Sequence, residues 1–381
     1  MRLIILISTL LSLLMSKYLY SLRDEGYNHT LELKLNQDKF ASQDSIRLFF
    51  VGDLMGHESM INAAKSSDGK SYNYEAWFKY LSPEMTEYDL MMLNLEVTLG
   101  GSPFTGYPMF SSPDSYAVAA KKAGFNFFIT ANNHSLDRGK KGLERTLIQL
   151  DSLKIDHTGT FRNEKERSEL YPFVKNIKNR KLTILNYTYG TNGLKEEEPN
   201  IVNRIDTNLI KKDLIKTKEL NSDFTIVTLH WGAEYQRNYS ADQKKLAQWL
   251  CDNGVDAIIG MHPHVVQPME ILHPKYDTKK NVPVAYSLGN FISGQRDRYK
   301  DGGIGLGIVL KIVENKIVFS SWEYLPLWVR AGGSPKGFYV IPGNIWRKNP
   351  NLFNLNVSEQ QQLRQFLLDT KELLSDWPEK K

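Results

Sequence analysis

One cysteine in 381 residues, no dense basic block and no apolar run as long as a bilayer is thick set the first limits on this chain. A lone Cys251 leaves no intrachain disulfide framework and no thiolate zinc site. Its neighbours Leu246, Ala247, Trp249 and Leu250 form an apolar helical pattern, the setting of a core residue and not of a reactive thiol. Lys and Arg total 48 against 43 Asp and Glu, and the surplus is spread out without aromatic interleaving, which argues against a nucleic-acid partner. Internal repeats and low-complexity runs are also missing. With 41% hydrophobic and 24% charged residues the composition is that of a globular protein, and disordered and collagen-like classes are excluded.

Near the N-terminus, Arg2 precedes Leu3 to Met15, a stretch broken only by Ser8, Thr9 and Ser12 and followed by Lys17. This reads as an export signal over residues 1–22. It is shorter than the roughly 20 apolar residues of a membrane span, yet no small-x-small cleavage site follows in good form, so an uncleaved anchor is the alternative. With no cysteine near its end, a lipoprotein is not expected. The expected location is the bacterial cell envelope, exported and either periplasmic or membrane-anchored. Residues 23–44 are polar and read as a linker, 45–325 as one catalytic domain, and 326–381 as a C-terminal extension. That extension ends in an amphipathic helix opened by a capping box of Ser358 and Gln361.

Within the domain, Ile46 to Val51, Asp89 to Leu95, Phe125 to Thr130, Leu182 to Tyr187, Phe224 to Leu229, Val255 to Ile259 and Val282 to Leu288 have strand composition. Helices are expected over Tyr116 to Lys122, Lys140 to Leu153 and Ala241 to Asn253. The alternation predicts an α/β fold, with ligands outside the carboxyl ends of the strands. After Gly302-Gly303, Ile304 to Val313 and Lys316 to Trp322 read as a hairpin turning at Glu314-Asn315, so one edge is antiparallel.

Six motifs stand at strand ends: Gly52-Asp53, Asn94-Leu95-Glu96, Asn132-Asn133-His134, Leu229-His230-Trp231-Gly232, Gly260-Met261-His262-Pro263-His264 and Ser287-Leu288-Gly289-Asn290-Phe291. Carboxylate, amide oxygen and imidazole together are the donors of a two-metal hydrolase. His262 and His264 flank Pro263, and in an extended turn both can address two neighbouring metals or one metal in two positions. His230 is a third imidazole. Asp53 and Glu96 supply the negative charge, with Glu96 as the bridge. One asparagine of the Asn132-Asn133 pair can bind metal, and His134 can protonate a leaving group. Asp137 either orients His134 or caps the helix after it. His57, four residues past Asp53, reaches the same metal or faces solvent. Glu234 and Asn290 are expected to face the substrate, and Arg296 and Arg298 either hold a phosphate or polyanion or are simply solvated. His29, His157 and His273 lie outside any cluster.

Taken together, Val51-Gly52-Asp53, Asn94-Leu95-Glu96, Ala131 to Gly139, His230 to Tyr235, His262-Pro263-His264-Val265 and Tyr286 to Phe291 resemble the bacterial CapA, or poly-γ-glutamate capsule synthesis, family of the calcineurin-like metallophosphatase superfamily. The resemblance implies a four-layer αββα sandwich with mixed sheets and two divalent ions, of Mn, Fe, Zn or Co, between the sheet ends. It assigns Asp53, Glu96 and His264 to one ion and Glu96, Asn133, His230 and His262 to the other, with His134 as the acid. Met55 stands where the superfamily usually has histidine, and Glu96 where it usually has aspartate. The implied activity is hydrolysis or transfer on a phosphoester or γ-glutamyl polymer, in company with capsule synthase membrane subunits. The competing readings are a non-catalytic, envelope-anchored assembly or export subunit for an anionic polymer, and a periplasmic phosphodiesterase unrelated to capsule.

Overall fold

A computed structural model describes residues 45–81, 85–332 and 337–381, so the expected signal segment and linker lie outside the described residues. The aliphatic runs become strands, joined in the first half by β1 (Ser45–Leu54), α1 (Glu58–Ala64), β2 (Leu90–Leu95), α2 (Asp114–Lys122), β3 (Phe127–Ile129), α3 (Gly139–Ser152), β4 (Asp156–Thr158) and β5 (Thr160–Phe161). There follow α4 (Glu164–Leu170), β6 (Phe173–Ile177), β7 (Arg180–Thr188), β8 (Ile201–Val202), α5 (Thr207–Glu219), β9 (Phe224–His230), α6 (Ala241–Asp252), β10 (Ala257–Met261), β11 (Met269–Leu272) and β12 (Val282–Ala285). The chain ends with β13 (Asn290–Ile292), β14 (Gly302–Val313), β15 (Lys316–Gly332), β16 (Gly337–Pro342), α7 (Gly343–Lys348) and α8 (Val357–Leu373).

Two mixed sheets result, in the orders β16-β15-β14-β1-β2-β3-β4, with β13 also paired to β1, and β11-β12-β10-β9-β7-β6. Parallel pairing holds among β1, β2, β3 and β4, and among β7, β9, β10 and β12. Antiparallel strands form one edge of the first sheet and both edges of the second, and the Glu314-Asn315 turn has φ values of 47° and 65°, the left-handed pair that suits a tight hairpin.

Strand side chains alternate between two buried faces. Phe49, Val51, Leu93 and Leu95 pack against Tyr116, Ala117 and Ala120 of α2 on the outside of the first sheet. Val227, Leu229 and Ile258 pack against Ile210 and Leu214 of α5 and Leu250 and Cys251 of α6 on the outside of the second. Between the sheets, Phe127 of β3 meets Phe173 of β6 with ring centroids 4.9 Å apart. The expected helix, sheet, sheet, helix layering is therefore present, and Cys251 is the buried core residue its pattern indicated.

Three details depart from the expectations. The capping box of α8 is Asn356 with Glu359, two residues ahead of the expected pair, because Asn356 takes the extended backbone and accepts from the Glu359 amide while Glu359 reaches back. The expected boundary at 325/326 falls inside β15, whose partner β16 continues the first sheet, and α8 packs Leu363, Phe366 and Leu367 on Trp328 and Ile341. The last strand before the site stops at Ala285 and not Leu288, because Tyr286 to Gly289 crosses from β12 in one sheet to β13 in the other. No helix of the described residues is long and apolar enough to cross a membrane.

That crossing segment is jammed against both ligand-bearing strands. A Cβ on Gly52 would lie 1.8 Å from the Gly289 carbonyl oxygen, and one on Gly260 would lie 1.9 Å from that of Tyr286. Neither neighbour is a movable side-chain tip. Gly52→Ala and Gly260→Ala should each destabilise the protein by about 3 kcal/mol or more in urea unfolding. Gly190→Ala, whose nearest neighbour is an arginine tip 3.8 Å away, should stay within about 0.5 kcal/mol of the parent.

Candidate metal centre

The first sheet delivers Asp53 at the end of β1, Glu96 just past β2 and Asn132 to His134 past β3; the second delivers His230 at the end of β9 and His262 and His264 past β10. Their side chains converge in two groups, Asp53 with Glu96 and His264, and Glu96 with His230 and His262, the ligand atoms within each lying within 4.8 Å of one another. Glu96 is common to both. Its Oε1 lies 3.5 Å from His230 Nε2 and 3.7 Å from His264 Nε2. Asn133 joins the second group through Oδ1, 2.9 Å from His230 Nε2.

The backbone after β10 is not the extended turn expected. His262 and His264 have φ values of 101° and 58°, a conformation that side-chain-bearing residues rarely adopt and that recurs at functional sites. The His262 amide donates to Asp53 Oδ2 at 3.4 Å, and the His264 ring is fixed by Nδ1 contacts of 3.1 Å to Asp53 Oδ2 and 3.1 Å to Asn290 Oδ1.

The electrostatics suit cations. Burial pushes the Glu96 carboxyl well above its ordinary range, and the Asp53 charge pushes it further. For Asp53 burial opposes ionisation, but the His264 imidazole and the Asn94 amide outweigh it and hold the carboxyl below its usual range. Burial drives His230 far down, with His262 and His264 adding to it, and lowers His262 to about 3. Neutral imidazoles at physiological pH are the form that ligates. Two fully enclosed ligand atoms, Glu96 Oε1 and His262 Nδ1, have no hydrogen-bond partner in protein. Buried polar atoms are rarely left so, and two in one oxygen and imidazole cluster fit bound divalent ions.

Beside this cluster, His134 Nδ1 lies 2.7 Å from Asp137 Oδ2, which also accepts the Phe110 amide at 2.7 Å. Asp137 therefore orients the histidine. It does not cap α3, whose N-cap is Arg138 and has no side-chain bond. Asn132 holds the His134 backbone by accepting its amide at 3.0 Å.

Several expected site residues go elsewhere. His57 belongs to neither ligand group among the described residues: its Nδ1 accepts from the Gly294 amide at 3.2 Å and its ring meets Phe110 edge-on, while burial lowers its pKa to about 4. Asn290 does not face substrate, because it is fully buried with its oxygen on His264 and its amide on Gln295 and Lys300. Arg296 lies over the Trp328 ring, and Arg298 forms a two-pronged pair with Asp369 of α8, so neither is available as an anion clamp. Glu234 is exposed and close enough to act on the charge of Glu96. His157 and His273 bind Asp151 and the Lys280 carbonyl, and His29 is outside the described residues.

Residues 47–295 match the family described as bacterial capsule synthesis protein PGA_cap. The chain belongs to that family. It is 28% identical over 280 residues to the capsule biosynthesis protein CapA of Bacillus anthracis, covering 70% of this chain and 64% of that relative. To the PGA biosynthesis protein CapA of Bacillus subtilis (strain 168) it is 25% identical over 269 residues, covering 68% and 66%. The chain thus spans slightly under two thirds of either relative's length. Among solved structures, the NAD nucleotidase NadN of Haemophilus influenzae aligns at 13% identity and TM-score 0.49, over 86% of this chain and 60% of that one. The calcineurin-like phosphoesterase YfkN of Bacillus subtilis aligns at 12% and 0.42, over 86% and 97%. Scores of this size carry no weight for function.

Within this PGA_cap chain, sequence reasoning missed the roles of Asn94 and Tyr189. Asn94 Nδ2 donates to Asp53 Oδ1 at 2.8 Å and Glu96 Oε2 at 3.3 Å, and lies 3.2 Å from His230 Nδ1, so it ties the two sheets together at the cluster. Strand parity was the available signal, since Asn94 and Glu96 are two residues apart. Tyr189 follows β7 as the other site residues follow their strands, and its ring stacks 4.5 Å from His262. Asn94→Ala leaves both carboxylates short of a donor, and metal affinity should fall about 10- to 100-fold in chelator competition.

Proposed function

We propose that this protein is a capsule-biosynthesis hydrolase or transferase of the CapA kind, acting at the cell envelope with two divalent ions, Mn, Fe, Zn or Co, on a phosphoester or γ-glutamyl bond. The observation that carries this reading is the pair of ligand groups sharing Glu96 beside the His134 and Asp137 dyad. A pure binding or export subunit has no use for that dyad next to a ligand cluster. An anionic polymer as substrate, and capsule synthase membrane subunits as partners, follow from the family and belong to the same proposal.

Bound there, divalent ions would supply Lewis-acid charge and a water acidified to near neutrality. Asp53, Glu96 and His264 would hold one, and Glu96, Asn133, His230 and His262 the other. Asn94 and Asn290 keep Asp53 and His264 in a fixed orientation, so little reorganisation is left for the reaction itself. His134 carries the proton: Asp137 engages Nδ1 and fixes the ring, which leaves Nε2 to pass a proton to the departing oxygen.

Elemental mass spectrometry on the purified protein should find close to two transition-metal ions per chain, and clearly fewer in a His230→Ala, His262→Ala double variant. A parent that stays metal-free after supplementation would leave the assembly or export role in its place. In a phosphoester screen, His134→Gln should keep the metal and lose about 10²- to 10⁴-fold in turnover.

A further inference from the structure

Among the described residues four tyrosines are exposed, Tyr107, Tyr189, Tyr235 and Tyr276, and three of them stand on the side chains of the metal centre and its acid. The Tyr189 ring lies 4.5 Å from His262, Tyr235 lies 6.1 Å from His264, and Tyr107 lies 6.3 Å from Phe110, which itself meets His134 edge-on at 4.6 Å. Scattered exposed aromatics are ordinary; a set gathered beside one buried ligand cluster marks a binding surface.

Tyr235 is held there under strain. Its φ of 66° is unfavourable for a bulky residue, and the conformation is fixed by its amide, which donates to the Pro263 carbonyl at 2.7 Å between the two ligating histidines. Its hydroxyl is 3.2 Å from Gln295 Nε2, and Lys300 lies 4.5 Å over its ring. Burial and the adjacent Glu234 raise its pKa to about 12.

The cations in two of the neighbouring loops already have partners. In the loops that carry Tyr235 and follow Asn290, every cation is engaged: Arg237 on the Asp369 carbonyl and the Tyr299 ring, Arg296 on Trp328, Arg298 on Asp369, and Lys300 on Asp297. Glu234, exposed in the same loop, adds negative charge.

Building on the hydrolase reading above, we propose that Tyr107, Tyr189 and Tyr235 form a specificity rim for the leaving group, and that the substrate is a phosphoester whose alcohol carries a ring, a sugar or a nucleoside. Stacking and C–H contacts on tyrosine faces serve both, and tyrosine hydroxyls serve their polar edges.

The test uses the full chain with manganese and four probes: glucose 1-phosphate, adenosine monophosphate, glycerol 3-phosphate and a γ-glutamyl oligomer. Turnover is read as kcat/KM and binding by calorimetry. The ring-bearing phosphates should lead glycerol 3-phosphate by about tenfold or more in kcat/KM or in affinity. Tyr107→Ala and Tyr189→Ala should each shrink that ratio severalfold, Tyr189→Phe should restore most of it, and Tyr276→Ala, away from the opening, should leave it unchanged. Which of the two ring phosphates leads distinguishes sugar from nucleoside. Equal handling of ring-bearing and ring-free phosphates, preference for the γ-glutamyl oligomer, or a ratio indifferent to the tyrosine variants overturns the proposal while leaving the hydrolase reading intact. If no probe is turned over, the hydrolase reading fails on that arm, and calorimetry still decides the rim: no preference in binding for the ring phosphates overturns it.

Discussion

A protein interior does not readily accept two carboxyl groups side by side, and Asp53 and Glu96 are both fully buried. Desolvating a carboxylate is costly, and a second one next to it adds repulsion. The surroundings answer this cost in three ways. Asn94 donates to both acids, the His264 imidazole stands against Asp53, and the oxygen of Glu96 left without a donor opens onto the His230 imidazole, which burial keeps neutral. Cations complete such an arrangement better than any protein group present. The two sheets meet where they do because Asn94 on one contacts His230 on the other, so the ligand cluster is also a joint of the sandwich.

Much of this was legible beforehand for a physical reason. Parallel strands buried on both faces are read as short aliphatic runs, and a polar residue at the end of each run has no reason to be there unless it leaves the core at the rim. That logic singled out Asp53, Glu96, His230, His262 and His264, whose side chains do converge, while the choice of Asn133 over Asn132 came from the family resemblance. It failed where a residue's task depends on its partner and not on its position. Asn290 sits at a strand end like the ligands, yet the crossing between sheets turns it toward His264 and the Lys300 carbonyl. Arg296 and Arg298 follow the same turn and looked like anion holders, but Trp328 and Asp369 come from sequence far downstream, and nothing local announces them.

The helix boundary at α8 shows the same limit on a smaller scale. Ser358 with Gln361 and Asn356 with Glu359 both satisfy the capping pattern, and only the backbone decides between them. Tyr189 was hidden for a different reason: aromatic residues after strands are common, and only the histidine beneath it gives the ring a task.

The match to the family ends at residue 295, yet Asp369 of α8 receives Arg298 through its carboxylate and Arg237 through its carbonyl, one arginine from each loop beside the opening, with the Tyr299 ring against both. The candidate ligand cluster and the two loops beside it are thus secured by different stretches of the chain. Removing α8 would loosen both loops at once while leaving every residue of the ligand cluster in place along the chain.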